Sequence, residues 1–384
     1  LKKAAKPFLP LVGATRAPFA ATGFAMAVWA PLVPYAKSRL GADDALLGLL
    51  LLCLGVGSFA TMPIAGALAA RLGCRRVILA AIVCLGAILP LLASVSDVAG
   101  MAVLLLLFGA ALGAADVAMN VQAVIVEQLH QRAMMSGFHA FYSLGGIAGA
   151  GGVSLALWLG ASPVVAAAQA AALLIVGLLP FGRHMLPQNL SGEAGRWLTR
   201  PKGIVLVIGW LCFAAFLAEG AVLDWSGVFL TASRHVDPAR AGAGFAVFSV
   251  AMTVGRLAGE TMIRWQGTPR VVSGGAVCAA LGVLIVVGFA SAAAAIVGFG
   301  LVGLGVANLV PALYSALGRQ QAMPANLAIS AAATLGYAGI LAGPVLIGFI
   351  ARAVSLSTAF VAVSAMLCVV AIYSRMVCAP RRSA

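Results

Sequence analysis

Long apolar runs, separated by short polar breaks, follow one another through almost the whole chain. They lie at about Thr15–Tyr35, Leu46–Ala69, Val77–Val95, Met101–Gln122, Met134–Trp158 and Val164–Phe181, then Gly203–Leu230, Ala241–Ile263, Val271–Ala290, Ala293–Leu317, Met323–Ile350 and Leu356–Met376. Each is close to the ~20 residues that a spanning helix needs. None shows the period-two alternation of barrel strands. In lipid the backbone must satisfy its own polar groups, so continuous runs of this length predict helices. The pattern predicts an all-α integral membrane protein with twelve transmembrane helices. The longest polar break holds Pro187, Asn189, Ser191, Gly192, Glu193 and Pro201 and divides the runs six and six. It predicts an N-terminal bundle over residues 1–183, a linker over 184–202 and a C-terminal bundle over 203–384.

Composition agrees with a lipid-solvated chain. Hydrophobic residues make up 63% of the 384 and charged residues 9%, with a mean hydropathy of +1.09. A soluble domain carries roughly 25% charged residues. The net charge of +14 would point to nucleic acid in a soluble protein. Its distribution argues otherwise. With the N-terminus inside, 19 of the 24 Lys and Arg fall on the inner side, leaving Lys37, Arg39, Arg234, Arg240 and Arg352 outside. That bias predicts a multi-pass membrane protein with both termini in the cytoplasm. The basic excess then serves topology and attraction to anionic lipid, and no nucleic-acid partner is expected. The seven cysteines form no CxxC pair and mostly lie inside apolar runs, where small unbridged hydrophobes are expected. The first run is long enough to persist as a helix, so no cleavable signal peptide is expected.

The halves echo each other. Phe108-Gly109 and Gly113 find partners in Phe299-Gly300 and Gly305, Ser143-Leu144-Gly145 in Thr334-Leu335-Gly336, and Arg76-Val77 in Arg270-Val271. A doubled six-helix repeat is one transporter layout, with substrate near the midplane and the halves rocking around it. Glycines at 145, 146, 149 and 152 and at 339, 343 and 348 let helices approach closely. Pro31, Pro34, Pro63, Pro311 and Pro344 are places where helices can bend.

A charge at the bilayer centre costs on the order of 3 kcal/mol, so each intramembrane polar group needs a reason. Asp116 and Asn120 share one face of the fourth run with Gly109, Gly113 and Glu127. If the turn after that run falls at Glu127–Gln128, His139 lies level with Asp116 on the next helix. Asp116 and His139 are therefore expected to form a proton-coupling pair, a purely structural hydrogen bond being the other reading. Glu219 is the second coupling candidate. Asp224, beside Trp225, is expected at an outer gate or interface. Arg256 and Glu260, one turn apart, read as an ion pair tying an inner gate. Asn308 is the approximate counterpart of Asp116. Together with Trp29, Asn120 and Tyr337 it forms the expected substrate contacts, aromatic faces suiting sugar rings and amides suiting hydroxyls.

No GxxxxGK[ST], HExxH or GxSxG string occurs, and His and Cys show no metal-ligand spacing. An enzyme, a resident metal and a cofactor are not expected. A secondary transporter driven by an ion gradient is.

The stretch Gly66-Ala67-Leu68-Ala69-Ala70-Arg71-Leu72-Gly73-Cys74-Arg75-Arg76 resembles the signature loop of the major facilitator superfamily. Gly66, Arg71, Gly73, Arg75 and Arg76 match, while Ala70 stands where the family usually has an acid that latches one gate. Three further strings, Asp116-Val117-Ala118-Met119-Asn120, Met135–Gly146 and Glu219–Ser226, resemble a poorly characterised bacterial inner-membrane branch that includes rhizopine- and sugar-type permeases. The resemblance implies two six-helix bundles. It also implies a cavity lined by the first, fourth, seventh and tenth helices, hence by Trp29, Asp116, Glu219 and Asn308. The function expected is proton-coupled symport of a small polar organic solute by a monomer, with efflux of drugs or metabolites as the alternative. The fifth run lacks the Gly-Pro of the drug-antiporter branch.

Overall fold

The computed structural model describes residues 8–186, 200–237 and 240–378. Pro187, Asn189, Ser191, Gly192 and Glu193 of the expected linker lie outside the described residues, as do the terminal bases Lys2, Lys3, Lys6, Arg381 and Arg382. All regular structure among the described residues is helical. The order is α1 (Phe8–Trp29), a 3-10 turn (Ala30–Leu32), α2 (Val33–Leu40), α3 (Asp44–Leu72), α4 (Cys74–Ser94), α5 (Val98–His130), α6 (Met135–Trp158) and α7 (Pro163–Gly182). Then come α8 (Ile204–Arg234), α9 (Ala243–Gln266), α10 (Thr268–Gly288), α11 (Ala292–Val306), α12 (Leu309–Arg319), α13 (Ala325–Ala353) and α14 (Leu356–Cys378). Twelve stretches among these are long and apolar enough to cross a membrane, and each matches one expected run.

Two spans are broken, and prolines explain both. Pro31 and Pro34 interrupt the first between α1 and α2. Proline lacks the N–H that would reach back four residues, and its ring crowds that carbonyl. In the tenth span Pro311 leaves the carbonyl of Ala307 without its donor, and the helix breaks at Ala307–Asn308. Pro63 and Pro344 sit inside helices that continue through them.

The chain divides into two compact units. One takes in the chain as far as Arg132, then Phe141–Arg200 and Met323–Ala331. The other takes in Ala133–Ala140, Pro201–Ala322 and Ala332–Ala384. Each thus includes the first turns of one helix, α13 or α6, whose remainder belongs to the other.

In the first unit, Gly145 and Gly149 of α6 lie against the backbone of Ala20 and Phe24 in α1, so close that a Cβ would overlap it. Gly109 and Gly113 of α5 meet Leu54 and Ser58 of α3 in the same way, and Ser58 Oγ donates to the Gly109 carbonyl at 2.8 Å. In the second unit, Gly339 of α13 abuts the Phe213 backbone in α8, and Gly303 of α11 abuts that of Phe248 in α9. Between lipid-solvated helices, association depends on such close van der Waals contact.

Two further devices occur once in each unit. Gly73 joins α3 to α4 at φ 82°, ψ 144°, and Gly267 joins α9 to α10 at φ 81°, ψ 152°. That region is open to glycine and strained for other residues. Arg39, at the end of α2, donates to Leu92, Ala93 and Val95 carbonyls at 2.7–2.8 Å. Arg234, at the end of α8, donates to Val286 and Val287 carbonyls at 2.8 and 3.1 Å. In each case a guanidinium fills the orphan carbonyls at the C-terminal end of the unit's third span.

Candidate functional site

In the first unit the polar residues of the fourth span come from α5. Asn120 is fully buried, and its amide donates to the Asp116 carbonyl at 2.9 Å and towards Asp116 Oδ1 at 3.4 Å. Asp116 itself is half-buried. Asn120 therefore acts on the carboxylate from one turn away and holds it against its own helix. Two residues on, Gln122 donates to Thr15 Oγ1 at 3.2 Å and reaches the Ala14 carbonyl at 3.4 Å, tying α5 to α1. Sequence reasoning missed this tie, because Gln122 sat at the edge of the expected span.

On α1, Trp29 and Thr22 lie two turns apart on one face. Trp29 Nε1 and Thr22 Oγ1 are buried without a hydrogen-bond partner among the described residues. Trp29 is also the last residue before the break at Ala30.

The loop candidates belong to this unit too. Arg71 and Arg76 are exposed, Arg75 is half-buried and Gly73 makes the left-handed turn. Gly66 lies within α3, where the first turns of α13 pack on it. Asn326 Nδ2 donates to the Gly66 carbonyl at 3.0 Å, and Ser330 Oγ donates to that of Met62. A Cβ on Gly66 would come within 2.6 Å of the Asn326 carbonyl oxygen.

The expected hinge at Glu127–Gln128 is corrected. Apolar packing carries α5 on to His130, and the turn falls at Gln131–Arg132, with Gln131 in the left-handed region at φ 52°. The equal spacing that set His139 level with Asp116 is therefore lost. His139 keeps company in the second unit instead. Its ring lies edge-on to Tyr314 at 6.1 Å, and Arg256 is near enough to act on it electrostatically.

Arg256 stands one turn before Glu260 on α9. Gly255 and Gly259 alternate with them and admit a close neighbour. Gly255 meets Ala307, and Gly259 meets Ser136 and the side chain of Asn308. Gly137 approaches the Glu260 carboxylate so closely that a Cβ would overlap it. Asn308, at the break in the tenth span, donates to the Gly255 carbonyl at 2.9 Å, and its Oδ1 is buried without a partner. Ser136, His139, Arg256, Glu260, Asn308 and Tyr314 thus gather around one stretch of α9.

Glu219 is half-buried on α8. Phe216, one turn before it, meets the ring of Tyr337 edge-on at 6.1 Å. Asp224 is exposed, and it points ~140° around the helix from Glu219. Trp225 packs beside Gly348 of α13.

Asp116 and Glu219 are thus half-buried acids on helices long and apolar enough to cross a membrane. Comparison with known proteins shows the family. The model of the Major Facilitator Superfamily matches residues 19–322. This chain belongs to that superfamily. Its relatives include an uncharacterized MFS-type transporter of Yersinia pestis, 51% identical over 378 residues and 98% of both chains. Membrane protein MosC of Rhizobium meliloti is 29% identical over 92% of this chain and 86% of its own. Among solved structures the Escherichia coli fucose:proton symporter FucP superposes with a TM-score of 0.78 at 18% identity, over 97% of this chain and 99% of that one. The superfamily fold, with its transporter relatives, makes this a transporter of a small molecule and not an enzyme.

Proposed function

We propose that this superfamily member is a proton-coupled symporter of a small, polar, uncharged organic solute of the sugar or polyol class. The reading places it in the bacterial inner membrane as a monomer with both termini in the cytoplasm. The observation that carries it is Asp116, an acid in mid-span whose carboxylate is held by a buried amide on its own helix. An intramembrane carboxylate is expensive and is kept where it takes up and releases a proton. Glu219, on the seventh span, is the second carrier in this reading. The edge-on pair Phe216 and Tyr337 beside it offers apolar ring faces of the kind that pack on sugars.

Asn120 then positions Asp116, and Asn308 positions the break in the tenth span while offering its free oxygen. His139, Arg256 and Glu260 form one gate cluster, and Asp224 stands at another. Ala70 leaves the signature loop without its acid, so the neutral bonds from Asn326 to Gly66 and from Ser330 to Met62 do the latching on α3. Arg71, Gly73, Arg75 and Arg76 shape the turn. The fucose:proton specificity of a distant structural neighbour lends the solute class some support.

The test uses purified protein in proteoliposomes loaded with a pH-sensitive dye. A panel of hexoses, pentoses and polyols is added outside. The reading expects at least one to carry protons inward with it, and expects an imposed pH gradient to drive its accumulation. Solute entry with no proton movement would refute coupling. Expulsion of a preloaded hydrophobic drug, with no response to the panel, would favour efflux.

A further inference from the structure

A cavity of about 460 Å³ opens in the first unit between α1, α6 and α7. Its walls are Ala17, Ala20 and Phe24 on one side and Leu174, Gly177 and Leu178 on the other. Of its lining residues Leu173 and Phe181 are exposed, at 67% and 36%. Both lie on α7, which is long and apolar enough to cross a membrane, so the cavity borders a surface suited to lipid. One charged side chain lines it, Arg16.

Arg16 differs from Arg39 and Arg234 in its hydrogen-bond partners. Arg39 and Arg234 each donate to helix-end carbonyls. Arg234 lies over the Phe229 ring at 4.7 Å and Arg16 over the Phe141 ring at 5.0 Å, each with its Nε buried and unpartnered, but Arg16 has no carbonyl to donate to among the described residues. Among the described residues no carboxylate pairs with it. Guanidinium is always ionised and presents a fork of donors suited to phosphate. The residue lies roughly 12 Å along α1 from Phe8, within reach of a headgroup for a long side chain that snorkels.

We propose that this groove is a binding site for an anionic phospholipid, its phosphate on Arg16 and an acyl chain along the alanine, glycine and leucine walls. Basic pockets between membrane helices take lipid headgroups in this way. The surrounding bilayer supplies the occupant at high local concentration, and an apolar cleft with one unpaired cation is complementary to it. The site is independent of the solute and of the direction of transport.

The test is native mass spectrometry of the intact protein released from detergent, titrated with phosphatidylglycerol, phosphatidylcholine or oleate. Wild type should bind its tightest phosphatidylglycerol more strongly than phosphatidylcholine. Arg16→Gln should lower that affinity about five-fold and erase the headgroup preference. Gly177→Leu should also weaken binding, because it fills the groove. A Cβ there meets nothing within 4 Å, so this variant remains decisive if Arg16→Gln fails to fold. An unchanged preference for phosphatidylglycerol in Arg16→Gln would overturn the proposal, and so would undiminished binding in Gly177→Leu or oleate displacing the lipid at equal concentration.

Discussion

The two units share their scaffold and differ in their chemistry. Each has an arginine closing the end of its third span, Arg39 in one and Arg234 in the other. Each has a left-handed glycine joining its second span to its third, Gly73 and Gly267. The fourth span and its counterpart, the tenth, have diverged. The fourth runs unbroken through Asp116 and Asn120 as a helix of 33 residues. The tenth is interrupted at Asn308, which carries no charge and ties the break to α9. Duplicated parts hold each unit together, whereas the residues that set the units apart are those assigned to coupling and gating.

The largest expected effect comes from the close glycine crossings. Gly109→Leu in the first unit and Gly303→Leu in the second would each push a side chain into a neighbouring backbone. Each should cost about 3 kcal/mol or more and abolish monodisperse folded protein on size-exclusion chromatography. Survival of one but not the other would mean that the crossings are not equivalent. Next come the arginine clamps. Arg39→Ala and Arg234→Ala each leave buried helix-end carbonyls unpaired, at about 2 kcal/mol apiece, and should lower the melting temperature by similar amounts. A fall in only one would break the duplication. Smallest are Gly73→Ala and Gly267→Ala, at about 1 kcal/mol each for a side chain forced into positive φ. Pro311→Ala sharpens the divergence. It should let α11 and α12 join, raise thermal stability by an amount below the ~3 kcal/mol that proline costs in a regular helix, and slow solute turnover.

Much of the fold was legible because lipid imposes one solution on a long apolar run. Hydropathy located all twelve spans, and the prolines at 31, 34 and 311 stood where helices break. The turn after the fourth span was not legible. Equal spacing between Asp116 and His139 set the hinge at Glu127–Gln128, but Glu127 is buried and the helix runs on to His130. The Asp116–His139 expectation rested on that spacing. The glycine echo holds for one pair and not the other. Gly300, matched to Gly109 from sequence, meets Val247 of α9, whereas Gly305, matched to Gly113, faces Gly275 and Ala279 of α10, and Gly303 makes the close backbone crossing with α9. The roles of Arg39 and Arg234 could not be read at all, since their partners are backbone carbonyls without a residue signature. Gln122 and Thr15 were hidden for a related reason, each being unremarkable alone and meaningful only as a pair across helices.

The central claim is that Asp116 carries the coupled proton. Asp116→Asn, reconstituted in proteoliposomes, tests it by comparing two readouts for the best-transported solute of the panel. The account predicts that accumulation driven by an imposed pH gradient is lost while solute counterflow, which needs no net proton movement, persists. Undiminished gradient-driven accumulation in that variant would contradict it.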